Sequence, residues 1–320
     1  MRTVSVPTIA DVDSAAEIVH RHLWPTPVLA LPDLGTGVLA KLELLQPTGS
    51  FKVRGGLVAV TAALERHAGT PLVAASAGNH GLGVAYAADR LGARATVVVA
   101  ETASEAKVAA LARFGVTLVR HGATYDEAEA YALELAERRG WRFVSPYNDP
   151  DVIAGQGSVG VELLAQVPAL ELIVVPVGGG GLVSGVGLAT AEAGTRLVGV
   201  EPETSAAMGA ALAAGRAVPL TLRETIADGL AGNIEAGSIT VEVAAERVER
   251  MVTVSEAEIA AAVAYLALEQ GLVVEPSGAV GVAALRSGRL EVGDGPTVVV
   301  LTGRNIARDL LVEILGDGSD

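Results

Sequence analysis

The chain has 320 residues, half of them hydrophobic, and a mean hydropathy of +0.45, which supplies one large or two moderate domains with a buried core and excludes a disordered chain. A net charge of −14, from 23 basic and 37 acidic side chains, excludes a nucleic-acid partner, because phosphate binding needs a basic face. With no cysteine there are no disulfides or thiolate metal sites, and "MRTVSVPTIADVDSAAE" lacks the apolar core of a secretion signal, so a cytoplasmic protein is expected.

The predicted elements alternate. A helix over 11–22 is followed by the strand "GVLAKLE" and a helix over 53–67. The strands "PLVAAS", "ATVVVA" and "VTLVR" then alternate with helices over 79–91, 104–114 and 125–139. Later come the strands "LIVVPV", "RLVGVE" and "MVTV", a helix over 255–270, and the strand "TVVVLT". Strands apolar on both faces, separated by helices, define an α/β chain with parallel sheet covered on both sides. Aromatic residues make up only 3%, so the core is built from Ala, Val, Leu and Ile, and the 38 glycines point to many tight turns. The Pro/Asn/Asp-rich stretch "VSPYNDPD" reads as a seam. It sets off a small domain of 70–146, inserted into a large one formed by 1–69 and 147–320. The uncharged run over 172–191 has the length of a membrane span, but its proline and glycines make it a buried strand, a turn and a helix start, so no membrane partner is expected.

Lysine is scarce, with only Lys41, Lys52 and Lys107 in the chain. Lys41 and Lys107 fall in a predicted strand and a polar helix, where an ammonium points at solvent. Lys52 lies in "QPTGSFKVRG", after a Pro-Thr-Gly-Ser turn, beside Phe51 and before Gly55 and Gly56. Two further stretches, "AASAGNHG" and "PVGGGGLVSG", put small residues at the start of a helix, where unpaired N–H groups and the helix dipole favour an anion. Glu201, about twenty residues beyond the glycines, raises a dinucleotide-binding alternative, a nicotinamide-dependent oxidoreductase. Neither Gly178 nor Gly179 as a starting point finds a glycine at the third fingerprint position. One amine, one phosphate cradle and one carboxylate cradle match pyridoxal phosphate joined to an amino acid: lysine holds the aldehyde as a Schiff base and then transfers a proton.

The segments "PTGSFKVRG", "ASAGNHG", "DPDVIAGQG", "VGGGGL", "GVEPE", "TIADG", "EPSGA" and "TGRN" occur in the order found in the fold type II pyridoxal phosphate enzymes. Over nearly its whole length the chain resembles that family, most closely the threonine/serine dehydratase and serine racemase group. The resemblance implies two open, mainly parallel twisted sheets covered by helices, as in tryptophan synthase β, and a homodimer or higher homo-oligomer. It makes Lys52 the Schiff-base lysine with Phe51 at its side, and Asn79 the partner of the cofactor's ring oxygen. Gly178, Gly179, Gly180, Gly181 and Leu182 become the phosphate loop. Ser76, Ala77, Gly78, Asn79 and His80 become the loop for the substrate carboxylate. Thr302 falls where a hydroxyl meets the pyridine nitrogen, which leaves the cofactor a weaker electron sink and suits β-elimination. The implied reaction is dehydration and deamination of a β-hydroxy amino acid, threonine or serine, to a 2-oxo acid and ammonia. Alternatives are a 3-hydroxyaspartate ammonia-lyase, a serine racemase-like enzyme and a β-replacement enzyme.

Several positions depart from or qualify that pattern. Ala77 stands where serine racemases carry a proton-transferring serine, and an alanine transfers none. The racemase-like metal site lacks an acidic side chain at Ala207, so no metal is expected and Glu201 reads as structural. Asn148 reads as part of a helix N-terminal turn. Arg304 replaces a common glycine and is expected either in a salt bridge to a carboxylate or, on the 3-hydroxyaspartate reading, on the distal carboxylate of the substrate. His20, His22, His67 and His121 read as surface or structural residues, and Trp24 and Trp141 as packing anchors. The regulatory module that trails some threonine dehydratases is not expected.

Overall fold

The structure is a computed structural model and describes residues 4–66 and 69–316; His67 lies outside them. In chain order its regular elements are α1 (Ile9–His20), β1 (Val28–Ala30), β2 (Val38–Lys41), α2 (Lys52–Arg66), β3 (Leu72–Ala75), α3 (Asn79–Leu91), β4 (Ala95–Val99) and α4 (Glu105–Leu111). There follow β5 (Thr117–Arg120), α5 (Tyr125–Arg139), β6 (Arg142–Phe143), α6 (Pro150–Gln166), β7 (Leu172–Pro176), α7 (Gly181–Ala189) and β8 (Arg196–Pro202). The last are α8 (Ala207–Ala214), α9 (Ile239–Arg247), β9 (Arg250–Val254), α10 (Glu256–Leu268), α11 (Pro276–Arg286), β10 (Thr297–Val300) and α12 (Arg308–Gly316). All eight expected strands are present. The unexpected β1 and β6 have three and two residues, too few to make a recognisable apolar run.

The strands form two sheets. The larger has the order β1-β2-β10-β7-β8-β9 and is parallel except for β1, which pairs antiparallel with β2. The smaller, β5-β4-β3-β6, is wholly parallel. Every residue of β3, β4, β7 and β10 is buried, as expected where helices cover both faces of a sheet. Local signals set the helix starts. Thr8 and Asp11 close a capping box on α1, Ser255 and Glu258 another on α10, and Asp149 caps α6 ahead of Pro150.

Many glycines serve helix crossings rather than turns. A Cβ on Gly83 of α3 would lie 2.7 Å from the Lys52 carbonyl oxygen, and one on Gly155 of α6 would lie 2.7 Å from the Gly55 Cα. A Cβ on Gly157 would lie 2.8 Å from the Gly185 carbonyl oxygen of α7. These separations are below ordinary carbon contact distances, so α3, α2, α6 and α7 touch backbone to backbone.

Two expectations are corrected. Lys41 does not reach solvent: it is fully buried, and its ammonium donates to Glu162 Oε2 at 2.6 Å, the Thr26 carbonyl at 2.8 Å and Gln166 Oε1 at 2.8 Å. Arg54, also fully buried, donates from Nε and Nη2 to Glu43 and from Nη1 and Nη2 to Glu162, with a further bond from Nη1 to Ser158. Two cations thus face two carboxylates with every lysine and arginine donor used. Trp24 is no packing anchor either, being 91% exposed; the adjacent Leu23 and nearby Thr26 take the buried positions of that segment. Trp141 does pack, against the apolar cluster of β3 and α5.

Lys41→Met is expected to destabilise the protein by about 3–5 kcal/mol, since it leaves the two buried carboxylates of Glu43 and Glu162 sharing the single cation of Arg54. Lys107→Ala, which removes an exposed pair with Asp228, should cost about 1 kcal/mol or less. Urea unfolding of both variants at one pH checks the contrast.

Candidate active site

Lys52 is the first residue of α2, so its position follows from the turn before it. That turn is fastened to the end of β10: the Phe51 N–H donates to the Thr302 carbonyl at 3.0 Å, and Ser50 bridges Gly303. Lys52 is half-buried, with its ammonium 2.9 Å from the Pro146 carbonyl oxygen and 5.2 Å from the centre of the Phe51 ring. Burial lowers the Lys52 pKa to about 8, against the opposing pull of the Glu275 carboxylate. An amine so shifted is still mostly protonated at neutral pH, but its neutral, nucleophilic fraction is far larger than that of an ordinary lysine.

The turn from β3 to α3 carries Ser76, Ala77, Gly78, Asn79 and His80. Ser76 Oγ accepts from the Gly78 N–H at 3.1 Å, and a Cβ on Gly81 would collide with the Ser76 carbonyl. His80 is buried, and its Nε2 lies 2.9 Å from the Val144 carbonyl oxygen. A carbonyl only accepts, so Nε2 carries the proton. Burial and the charge of Lys52 hold the His80 pKa down to about 3, so the ring is a neutral tie to the seam segment and not a charged substrate ligand. Asn79 Nδ2 donates to Glu275 Oε1 at 2.7 Å. Ser76 and Ala77 also wall a cavity of about 390 Å³ that runs to Tyr125 and Lys107.

The glycine loop joins β7 to α7, with Gly180 at φ +89° as the cap residue, a conformation that favours glycine. Its outer side is tightly covered. A Cβ on Gly181 would lie 2.9 Å from Tyr147 Cα, and one on Gly179 would collide with the Tyr147 ring. Thr240 Oγ1 donates to the Gly179 carbonyl at 2.8 Å. Part of the requirement for glycine is therefore packing, while the first N–H groups of α7 lie at the positive end of its dipole.

Other predicted residues divide. Thr302 is buried beside Phe51, at the end of β10. Arg304 is exposed and forms no salt bridge among the described residues; its Nη1 donates to the Leu44 carbonyl at 2.5 Å. Asn148 does precede α6, but its side chain reaches the start of α9, accepting from the Ile239 N–H at 3.1 Å and donating to Glu235. Glu201 caps α8, accepting from the Met208 and Gly209 N–H groups at 2.6 and 2.9 Å. Among the described residues no cluster of three metal-ligating side chains occurs, and no helix is long and apolar enough to cross a membrane. Sequence reasoning missed Tyr147, Glu275 and Asn305. Glu275 lay within the quoted "EPSGA", and the signal was an acidic residue placed before a proline helix start.

Lys52, the 76–80 turn and the glycine loop are gathered around one segment, touching Pro146, Val144 and Tyr147 respectively. The residues present fit pyridoxal phosphate: a depressed lysine amine, glycine amides at a helix start, and a buried Ser50 hydroxyl with no partner among the described residues, two positions from Lys52. Residues 19–303 match the model of the pyridoxal-phosphate dependent enzyme family, and the chain belongs to that family. It is 38% identical to an L-threonine ammonia-lyase of Thermotoga maritima over 97% of this chain and 79% of that protein. It is 35% identical to an L-threo-3-hydroxyaspartate ammonia-lyase of Saccharomyces cerevisiae over 94% of each. The solved structure of the processed form of threonine deaminase isoform 2 from Solanum lycopersicum superposes with a TM-score of 0.91 at 30% identity, covering all of this chain and 98% of that one.

Two outcomes follow from this geometry. Capture of pyridoxal phosphate by the cofactor-free protein should accelerate as pH rises through about 8, the Lys52 pKa, because only the neutral amine attacks the aldehyde; rapid-mixing absorbance against pH measures it. Gly83→Ala should destabilise by about 1–3 kcal/mol through overpacking and weaken cofactor capture by moving the Asn79 turn off α2. Thermal melts and titration read the two effects.

Proposed function

We propose that this chain is an ammonia-lyase for a small β-hydroxy amino acid, threonine or serine, giving a 2-oxo acid and ammonia. The observation that carries the reading is that three segments far apart in the chain all touch residues 144–147: Lys52 at the Pro146 carbonyl, His80 of the 76–80 turn at the Val144 carbonyl, and Gly179 and Gly181 at Tyr147. The name of the Thermotoga relative supports the reaction class.

In this reading the N–H groups of the 76–80 turn hold the substrate carboxylate, and Asn79 faces the cofactor's ring oxygen. Gly178, Gly179, Gly180, Gly181 and Leu182 hold its phosphate, and Thr302 meets its ring nitrogen. Bound pyridoxal phosphate supplies the electron sink for charge developing at the substrate Cα. Lys52 is assigned the Schiff-base attachment and, once freed by the substrate amine, takes the Cα proton. The Cβ–O bond then breaks, the hydroxyl departs as water with the proton that Lys52 took from Cα, and hydrolysis of the released product gives the 2-oxo acid and ammonia. Ala77 offers no proton on the opposite face, which sets elimination above racemisation.

The same reading divides the chain into a small domain of 70–146 around the four-stranded sheet and a large one of 1–69 and 147–320 around the six-stranded sheet. A homodimer or higher homo-oligomer and a cytoplasmic location complete it. Threonine and serine stand ahead of 3-hydroxyaspartate because the guanidinium proposed for a distal carboxylate is engaged by the Leu44 carbonyl.

Lys52→Ala should abolish turnover and borohydride-stable cofactor attachment while leaving the fold intact; a reducible adduct at wild-type stoichiometry would sink the assignment. A panel of threonine, serine and 3-hydroxyaspartate with 2-oxo acid detection should give the highest kcat/KM for threonine or serine, with little D-enantiomer in the recovered substrate. Arg304→Gly should leave that order unchanged. A reversal of the order in Arg304→Gly would restore the distal-carboxylate role.

A further inference from the structure

Glu275 is buried, yet no cation lies within salt-bridge distance of it among the described residues. Its two oxygens accept from amides. Oε1 accepts from Asn79 Nδ2 at 2.7 Å, and Oε2 accepts from the Asn305 backbone N–H at 3.1 Å. Asn305 in turn donates from its side-chain Nδ2 to the Thr48 carbonyl at 2.8 Å and to Asn79 Oδ1 at 2.6 Å.

The polarity of this chain of bonds is forced from the Thr48 end. The Thr48 carbonyl only accepts, so the Asn305 amide must present its NH₂ there, and its remaining N–H points at Asn79. Asn79 therefore meets Asn305 with its oxygen and Glu275 with its nitrogen. When Glu275 is ionised it too only accepts, and that end then favours the same orientation. A free asparagine amide has two near-equivalent flips, and here one of them is selected. A single Nδ2–H of Asn79 is left over.

We propose that Glu275 and Asn305 are positioning residues that lock the Asn79 amide in one flip, so that its spare N–H, and not its carbonyl, meets the ring oxygen of the cofactor. The packing reinforces the lock. A Cβ on Gly303 would collide with the Glu275 carboxylate and lie 3.2 Å from Ser50 Cβ, so the carboxylate lies against the Gly303 backbone in a place that only glycine leaves open. Glu275→Gln keeps the volume but turns one acceptor into a donor, which opposes the N–H of either Asn79 or Asn305.

The proposal rests on the reading that places Asn79 against the ring oxygen, and the test separates the two. Cofactor-free wild type, Asn79→Ala, Glu275→Gln and Asn305→Ala are titrated with pyridoxal phosphate and with its 3-deoxy analogue, which keeps the aldehyde and phosphate but lacks the ring oxygen. The ratio of the two Kd values is the readout; a merely structural defect weakens both ligands alike and leaves the ratio unmoved. Wild type should favour pyridoxal phosphate about 5- to 10-fold more than Asn79→Ala does, the effect of roughly one hydrogen bond. In Glu275→Gln the ratio should fall to the Asn79→Ala value, and in Asn305→Ala part of the way. If wild type and Asn79→Ala give the same ratio, the ring-oxygen reading itself is wrong. If Asn79 matters but Glu275→Gln and Asn305→Ala both keep the wild-type ratio, the lock is overturned. Should Glu275→Gln fail to fold by circular dichroism, Asn305→Ala alone decides, because Asn305 is exposed and its removal leaves the buried carboxylate in place.

Discussion

The backbone contact of α2 with its neighbours is the constraint on which the site depends. Lys52 opens α2, the Asn79 turn opens α3 and the glycine loop opens α7. Gly83 lets α3 lie on the Lys52 carbonyl, Gly155 lets α6 lie on Gly55, and Gly157 lets α6 meet Gly185 of α7. Three helix starts are thereby registered to one another through rigid main chain rather than through side chains with rotamer freedom. A reacting group must be held to a fraction of an ångström, and contacts of this kind provide it.

Beneath that crossing lies the buried cluster of Lys41, Glu43, Arg54 and Glu162. Arg54 is two residues from Lys52 on α2, Lys41 ends β2, and Glu162 is on α6, so the cluster ties the lysine helix to both of its supports. A buried ion pair is a weak source of net stability, since desolvation offsets most of the attraction. Its geometry is nevertheless directional, with every donor matched. The glycines allow close approach and say little about direction, and the charges supply the direction.

The candidate site is more heavily satisfied than its motifs suggest. Histidine beside a carboxylate loop reads as a ligand, yet His80 is bonded to Val144 and neutral. A tetraglycine reads as a bare cradle, yet Tyr147 covers one side of it. Glu275, with its pKa raised to about 7 by burial and by the charge of Asp228, is the titratable group that the motif reading passed over. Each of these depends on a residue that is remote in sequence.

The sequence alone determined the alternation of strands and helices, because β-branched runs and Ala-rich stretches differ in period and composition. It also singled out Lys52, Asn79 and the 178–182 loop, because a scarce lysine in a glycine-flanked turn and two small-residue helix starts are local features. Tertiary structure decided the rest. Lys41 has the local look of a strand residue facing solvent, and only the arrival of Glu162 from 121 residues away buries it. The glycines of α2, α3, α6 and α7 look like helix-weakening residues until the helices cross. Trp24 has the bulk of an anchor but lies between Leu23 and Thr26, which take the inside. Local pattern fixes what a segment forms, whereas which side chain is buried, paired or aimed at a site depends on segments that meet only when the chain folds.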